Sequence, residues 1–373
     1  MTTNPFPPNA EYLNWRTFQA NGVNLGSWFC LETFMVPNFF SQYGNGAPDE
    51  WTVCKNLGQM VAGKILDTHY QTFFTKDHID ILAAQNINIL RIPFVYAAWI
   101  DVPNSPHYRG PQVEIMEQLA TYAIEEYGMH IVLDLHALPG GVNWLEIGEA
   151  HGHGGWFYSE ENLELSYKAV DAILQYIQHS SGHPESYTIS PVNEAVDSKD
   201  LRTFGTPYAL SDKAADWLLK YILGVVERVV FVNSRIPIMV QDSFKGEAFW
   251  ASRLPESANI VIDVHIYYFI GRKCDSNTVI PIIIQDAIGA QKTNKFPVVV
   301  GEWSIETEVN NRLDKRRELF ETGRKAFNQH TQGNIYWSGR VDSDAKVDGE
   351  GTKRDYWSFL DMIKDGVVTP LRG

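Results

Sequence analysis

The chain contains a series of short apolar segments, each of which ends in polar or aromatic residues. These segments are continuous runs of Val, Ile and Leu rather than strict alternations, a pattern typical of strands that are covered on both faces, as in a parallel sheet. We therefore predict eight strands, at residues 20–28, 87–94, 130–137, 188–194, 235–244, 259–268, 296–304 and 333–338.

Segments with helical periodicity lie between these strands. We predict helices at residues 75–86, 112–128, 162–180, 212–231 and 309–329. Thr75 and Ser211 stand just before acidic residues at the starts of two of them, which is typical of helix N-caps. Strands that alternate with helices, without a linker, predict one closed (β/α)8 TIM barrel of the α/β class. An open doubly wound sheet is the alternative, and it is disfavoured because no glycine-rich phosphate turn follows the first strand.

The length and composition fit a single domain. The chain has 373 residues, of which 44% are hydrophobic and 20% are charged, so it can bury a large core. We expect residues 1–373 to form one catalytic domain, with residues 1–18 as an N-terminal extension that packs on the barrel.

The charge and the cysteines narrow the range of partners. The formal net charge of −14 disfavours nucleic acid and membrane surfaces, which are also anionic, whereas a neutral carbohydrate fits this balance. Three cysteines (Cys30, Cys54 and Cys274) without a CxxC motif argue against a disulfide framework or a zinc cage. We find no signal peptide, spanning helix or N-glycosylation motif, which favours a cytoplasmic protein, with a secreted mature chain as the alternative.

The candidate chemistry lies where the predicted strands end, because TIM barrels carry their active sites at that face. Any one of these side chains alone is compatible with a structural role. Together they indicate a site, because nearly every strand delivers a polar or aromatic group to the same rim. The group comprises Glu32, Arg91, His136, Asn193, Glu194, His265, Tyr267, Glu302 and Trp337.

Glu194 and Glu302 belong to strands that face each other across the barrel mouth. Glycoside hydrolysis needs such a pair, one carboxylic acid to protonate the leaving oxygen and one carboxylate to attack, about 5–5.5 Å apart in retaining enzymes. We expect Glu302 to stay ionised beside Arg91 and the Tyr267 hydroxyl. The charge of Glu302 is expected to raise the pKa of Glu194. Asn193 is expected to donate to the sugar 2-hydroxyl.

Several motifs, in order, carry a family resemblance over essentially the whole chain. GVNLGSWFCLE, LRIPFVYAAW, VLDLHALPGG, VNEA, VHIYY and VVGEWS resemble glycoside hydrolase family 5, and within it the fungal exo-β-1,3-glucanases and β-glucosidases. The resemblance implies a TIM barrel, a retaining double-displacement mechanism, and neither cofactor nor metal. It implies that Glu194 is the acid/base and Glu302 the nucleophile. It also implies glycone-binding roles for Glu32, Arg91, His136, Asn193, His265, Tyr267 and Trp337. We further expect Asn143 and Trp144 to bind substrate.

The rim of the predicted site departs from the glucanase pattern. Ala195 replaces the proline that usually follows the acid, and residues 144–155 and 269–270 differ from the glucanase entrance. We expect an exo-acting β-glycosidase that hydrolyses β-glucosides or short β-glucans. The alternative is a rutinosidase-like diglycosidase that releases a 6-O-substituted glucose disaccharide. A non-catalytic carbohydrate-binding barrel and a metal-dependent hydrolase built on His151 and His153 are two further alternatives.

Overall fold

Eight parallel strands close into a barrel in sequence order. The computed structural model describes residues 11–370, so the first ten residues of the predicted N-terminal extension lie outside the described residues. Each strand pairs with its neighbour in sequence, and β1 also pairs with β8, which confirms the predicted TIM barrel. The strands are β1 Ala20–Asn24, β2 Ile89–Val95, β3 His130–Ala137, β4 Tyr187–Ser190, β5 Ile238–Gln241, β6 Ile260–Tyr268, β7 Val298–Thr307 and β8 Gly333–Tyr336.

Helices follow the strands along the chain. They are α1 Pro37–Phe39, α2 Glu50–Leu57, α3 Gln59–Phe73, α4 Lys76–Ala83, α5 Gln112–Tyr127, α6 Glu160–Gln175, α7 Asp212–Asn233, α8 Glu247–Ala251, α9 Ile280–Ala290, α10 Arg316–His330, α11 Lys353–Trp357 and α12 Phe359–Lys364. Thr75 caps α4 in a reciprocal arrangement with His78, and the Ser211 side chain accepts from the Ala214 N–H, so both predicted caps are confirmed. Within the described part of the chain, no helix is both long and apolar enough to cross a bilayer.

Several element bounds differ from the prediction. Strand β4 ends at Ser190 rather than at residue 194, because Pro191 has no N–H to continue the ladder. Helix α10 begins at Arg316 rather than at residue 309, because Asn310 adopts a left-handed φ of 49°. Seven of the twelve helices within residues 11–370, including the long helices α3 and α9, lie outside the predicted segments. The apolar run at the start of α9 carries no clear helical period.

The floor of the barrel is closed by the described part of the N-terminal extension. Trp15 is 1% exposed, and its indole Nε1 donates to the Thr188 Oγ1 at 3.3 Å. Phe18 packs edge-on against it, with ring centroids 5.6 Å apart. Trp15 forms a cluster with one residue from the lower part of most strands: Ala20, Ile89, Val132, Met239, Val261, Val299 and Ile335. This end lies opposite the face at which TIM barrels carry their active sites.

Candidate active site

Arg91 connects the strands at the mouth of the barrel and is fully buried on β2. Its Nη1 donates to Glu302 Oε1 at 2.7 Å and to Asn24 Oδ1 at 3.0 Å. Its Nη2 donates to Asn193 Oδ1 at 2.7 Å and pairs with Asp134 Oδ2 at 3.1 Å. The guanidinium therefore fixes the position of Glu302 relative to β1, β2, β3 and the segment that follows β4. Arginine can do this because its planar head group carries several donors.

Glu302 lies inside β7 and is 4% exposed. In addition to the Arg91 bond, its Oε2 accepts a hydrogen bond from the Tyr267 hydroxyl at 2.8 Å. The prediction that Glu302 lies beside Arg91 and Tyr267 is therefore confirmed. Burial raises the pKa of Glu302 above its usual value, and the positive charges of His265 and Arg91 limit that rise.

Glu194 lies four residues beyond the end of β4. Its φ of 42° is in the left-handed region, which is uncommon for a residue other than glycine. Its Oε1 is 2.8 Å from His265 Nδ1. A carboxylate oxygen of Glu194 and one of Glu302 lie within 4.8 Å of each other, which agrees with a retaining pair and is shorter than the roughly 6.5–9.5 Å of inverting enzymes.

His265 is surrounded by three carboxylates, and its side chain is fully buried. Its Nδ1 faces Glu194 and lies 3.4 Å from Glu302 Oε2, while its Nε2 lies 3.3 Å from Asp263 Oδ2. Burial opposes protonation of the ring, but the charges of Glu302 and Asp263 outweigh burial and hold the pKa of His265 well above its usual value. The ring is therefore a cation that links the two candidate catalytic carboxylates.

His136 lies on the opposite side of Arg91, against Trp337. Its Nδ1 is 2.7 Å from Asp134 Oδ2, and its Nε2 is 3.3 Å from Asn193 Nδ2. The His136 and Trp337 rings stack with centroids 5.4 Å apart. Burial alone would raise the pKa of Asp134, but Arg91 and His136 outweigh burial and lower it. The predicted residues His136, Asn193 and Trp337 thus form one contiguous group.

Glu32 provides a buried carboxylate with a free oxygen. It is 5% exposed, and its Oε1 has no hydrogen-bond partner among the described residues. Burial and the charges of Glu146 and Glu302 raise the pKa of Glu32 well above its usual value. Glu146 Oε1 accepts from the Thr33 N–H at 3.2 Å and from its hydroxyl at 3.0 Å, while Oε2 accepts no hydrogen bond from the described residues. The two carboxyl groups therefore lie near enough for the charge of one to affect the other, and each has an oxygen that accepts no hydrogen bond.

Asn143 and Trp144 connect the loop after β3 to the segment that carries Glu194. Asn143 is fully buried, and its Nδ2 donates to the Glu194 carbonyl at 3.4 Å. The half-buried Trp144 donates from Nε1 to the Asp197 carbonyl at 3.3 Å. Their contacts in the structure are therefore with the backbone around Glu194, and their role in binding substrate stays a prediction.

The two histidines of the His151–Gly152–His153 motif pair with carboxylates. His153 Nδ1 is 2.8 Å from Glu149 Oε2, and His151 Nε2 is 3.8 Å from Glu146 Oε2. Neither histidine belongs to a cluster of three potential metal ligands anywhere in residues 11–370. The geometry therefore gives no support to a hydrolase whose metal is bound by this motif.

Four buried polar residues that orient the site were not predicted: Asn24, Asp134, Ser190 and Asp263. Alternation along a strand places residues i and i+2 on the same face. The segments D-L-H of β3 and D-V-H of β6 therefore indicated that Asp134 and Asp263 share a face with the predicted residues His136 and His265. Asn24 offered none. Its Nδ2 donates to the carbonyls of Gly301, Ile335 and Tyr336, contacts that exist only because the barrel closes.

Comparison with known families decides the identity of this arrangement. The sequence model of Cellulase (glycosyl hydrolase family 5) matches residues 54–343, a range that includes Glu194 and Glu302. The chain belongs to glycosyl hydrolase family 5. It is therefore a hydrolase of glycosidic bonds, and the prediction of an enzyme is confirmed over that of a non-catalytic barrel.

Three relatives of this family 5 enzyme come from fungi. Probable glucan 1,3-beta-glucosidase A of Aspergillus clavatus is 29% identical over 301 residues, which span 79% of this chain and 67% of that protein. Glucan 1,3-beta-glucosidase 1 of Schizosaccharomyces pombe is 28% identical and covers 79% and 70%. The crystal structure of rutinosidase from Aspergillus niger superposes with a TM-score of 0.94 at 43% identity, covering 96% of this chain and 100% of that one. The predicted fungal branch of the family is confirmed.

Proposed function

We propose that this family 5 enzyme is a retaining, exo-acting β-glycosidase that cleaves β-glucosidic bonds, with Glu302 as nucleophile and Glu194 as acid/base. The observation that carries the proposal is the pair of carboxylates whose oxygens lie within 4.8 Å of each other, bridged by His265. At this separation no water molecule fits between the substrate carbon and the attacking carboxylate, so a covalent intermediate is the favoured route.

In the first step, Glu302 attacks the anomeric carbon while Glu194 protonates the departing oxygen. Arg91 and Tyr267 hold both oxygens of Glu302 by hydrogen bonds of 2.7 and 2.8 Å, which orient the nucleophile before substrate arrives. The bond from carbon to the leaving group breaks as the bond to Glu302 forms. The leaving group departs as a neutral alcohol because it takes the Glu194 proton.

In the second step, Glu194 is a carboxylate and accepts a proton from water, whose oxygen attacks the anomeric carbon. Glu302 leaves as a carboxylate, and Glu194 is again protonated. The His265 cation lies beside both groups and stabilises whichever carboxylate is ionised. Two inversions at one carbon give net retention of configuration.

Replacing the proposed nucleophile tests this assignment directly. We expect Glu302→Ala to lower kcat/KM on an aryl β-glucoside by about a thousandfold or more, because no covalent intermediate can form. Added azide is small enough to enter the vacated space, and it should restore turnover and yield an α-glycosyl azide. The products are identified by NMR.

The control is Glu194→Ala, for which azide should instead yield a β-glycosyl azide, formed on the intact Glu302 intermediate. A wild-type enzyme that released its first product with inverted configuration would contradict the proposal, as would an α-azide product from both variants.

Disaccharide-releasing activity is a second candidate within the same class. The similarity to rutinosidase extends over 96% of the chain at 43% identity, compared with 79% at 29% for the glucan 1,3-beta-glucosidase of A. clavatus. Glu32 and the nearby Glu146 each have a carboxylate oxygen that accepts no hydrogen bond from the described residues, which leaves two acceptors for sugar hydroxyls. We infer that glycosides of a 6-O-substituted glucose are better substrates than β-1,3-glucan.

A substrate panel separates the two candidates. We expect p-nitrophenyl β-rutinoside to be cleaved at least about tenfold more efficiently than p-nitrophenyl β-glucoside, with intact disaccharide as the sugar product. Glucose release from laminarin at a higher kcat/KM than rutinoside cleavage would instead favour the glucan 1,3-β-glucosidase activity. Glu302→Ala should lower kcat/KM by about a thousandfold or more on every substrate in the panel.

A further inference from the structure

A second cluster of ligand-type side chains lies next to the segment that carries Glu32. Glu50 and Cys54 are one turn apart on α2 and therefore project from the same side of that helix. His107 joins them from the loop between β2 and α5. A carboxylate oxygen of Glu50, the Sγ of Cys54 and a ring nitrogen of His107 all lie within 4.8 Å of one another, and all three residues are buried.

The His107 ring is the observation that calls for a ligand. The residue is 3% exposed, and neither Nδ1 nor Nε2 makes a hydrogen bond of normal geometry to the described residues. The Nδ1 lies 4.0 Å from Glu50 Oε1, too far for a hydrogen bond. A buried polar group without a partner costs about 1–3 kcal/mol, so such groups are rare unless a water or an ion completes them.

The surroundings of the ring also suit a metal. A backbone group of Glu149 lies beside the ring. Histidines that bind a metal through one nitrogen commonly donate the other N–H to a backbone carbonyl.

We propose that Glu50, Cys54 and His107 form a binding site for a divalent metal ion of the zinc class. A thiolate, an imidazole and a carboxylate are together the ligand set that zinc prefers. Tetrahedral zinc holds its ligand atoms about 3.3–3.8 Å apart, so the three side chains need to approach one another by no more than about 1.5 Å. Water would complete the coordination. None of the three residues bonds to Glu194 or Glu302 in the described structure, so the ion is not part of the proposed catalytic step.

The site would stabilise one wall of the active site. The second oxygen of Glu50 accepts a hydrogen bond from the Leu31 N–H at 2.9 Å, and Leu31 directly precedes Glu32. Asp49, at the start of the same helix, accepts from the His151 N–H at 2.9 Å. A bound ion would therefore hold the start of α2, and through it both segments that line this side of the site.

Cobalt substitution tests the site through a spectrum that depends on Cys54. The full chain is produced in minimal medium supplemented with Co²⁺, and metal content and absorption are measured after gel filtration. We expect one cobalt per chain and a thiolate-to-cobalt charge-transfer band in the near ultraviolet. The band should be lost in Cys54→Ser, weakened in His107→Gln, and unchanged in the matched controls Cys30→Ser and Cys274→Ser, which replace the other two buried thiols.

A wild-type protein without stoichiometric cobalt, or with cobalt but no thiolate band, would overturn the proposal. So would a band that persists in Cys54→Ser or disappears in Cys274→Ser. Hydrolysis of the aryl β-glucoside verifies that each variant is folded. If Cys54→Ser does not fold, the wild-type spectrum and the two control variants decide whether the thiolate ligand is Cys54. Zn²⁺ should displace the cobalt and abolish the band; retention of the band in excess Zn²⁺ would contradict a zinc-class site.

Discussion

At the scale of single residues, buried charge dominates this protein. Glu32, Glu194, Glu302 and Asp263 are buried within one region, and Arg91 and His265 are the cations that balance them. Removing either cation would leave a carboxylate uncompensated in a low-dielectric site, a change that typically costs about 3–5 kcal/mol. Glu32 Oε1 accepts no hydrogen bond in the described part of the chain.

Glu146 provides a test of this electrostatic arrangement. Burial raises its pKa from 4.5 to about 7. Because the folded state binds this proton more tightly than the unfolded state does, the protein should lose stability as the pH rises from about 4.5 to about 7. We expect Glu146→Gln to remove up to about 3 kcal/mol of the decrease in unfolding free energy between pH 5 and pH 8, measured by urea denaturation.

The control for this prediction is the exposed Glu256, whose replacement by Gln should leave the pH dependence unchanged within about 0.5 kcal/mol. Equal pH dependence of wild type and Glu146→Gln would show that Glu146 ionises normally in the folded state.

At the scale of elements, strands β6 and β7 are in tight contact where the site is built. A Cβ atom at Gly301 would lie 1.9 Å from Asp263 Oδ1 and 2.4 Å from its Cγ, so only glycine fits directly before Glu302. Asp263 in turn lies against the His265 ring. The glycine on one strand therefore makes room for the carboxylate that orients the histidine on the other.

We expect Gly301→Ala to displace Asp263 and to destabilise the protein by about 1–3 kcal/mol. Because His265 would shift with Asp263, kcat/KM should fall on the order of 10–100-fold. Thermal unfolding and aryl β-glucoside kinetics measure the two effects.

The matched variant is Gly289→Ala on α9, where nothing lies within 4 Å of the added Cβ. It should stabilise the protein by up to about 1 kcal/mol, because alanine favours the helix, without changing kcat/KM. A Gly301→Ala enzyme with wild-type kinetics would mean that Asp263 does not position His265.

At the scale of the whole molecule, the barrel separates stability from chemistry. The mouth collects polar and charged groups, whereas the floor is an apolar layer closed by Trp15. TIM barrels in general place the residues that bind substrate at the mouth and residues important for stability at the floor.

We expect Trp15→Ala to lower the unfolding free energy by about 3–5 kcal/mol, because it leaves a cavity beneath the barrel. The same variant should retain kcat/KM within about twofold below its unfolding temperature. Chemical denaturation and steady-state kinetics on one preparation provide both values.

Phe231 on α7 is the control, since it is 90% exposed and its replacement by Ala should change stability by less than about 0.5 kcal/mol. A large loss of activity in folded Trp15→Ala would contradict the separation of the two ends.

The sequence alone determined the fold class and most of the residue types in the site. Continuous apolar runs indicate strands buried on both faces, and chain order then fixes which strands are neighbours, as the pairing from β1 to β8 bears out. Local rules also located the caps at Thr75 and Ser211. They did not locate the end of β4 or the start of α10, which depend on Pro191 and on a left-handed Asn310.

Only the tertiary structure decided which side chains meet. The hydrogen bonds from Arg91 to Asn24 and between His265 and Glu194 join segments that are far apart in the chain, and their distances depend on how the barrel closes and on the path of the loops. A residue's type sets which bonds it can form, but the free energy of those bonds depends on burial and neighbouring charge, which no local pattern encodes.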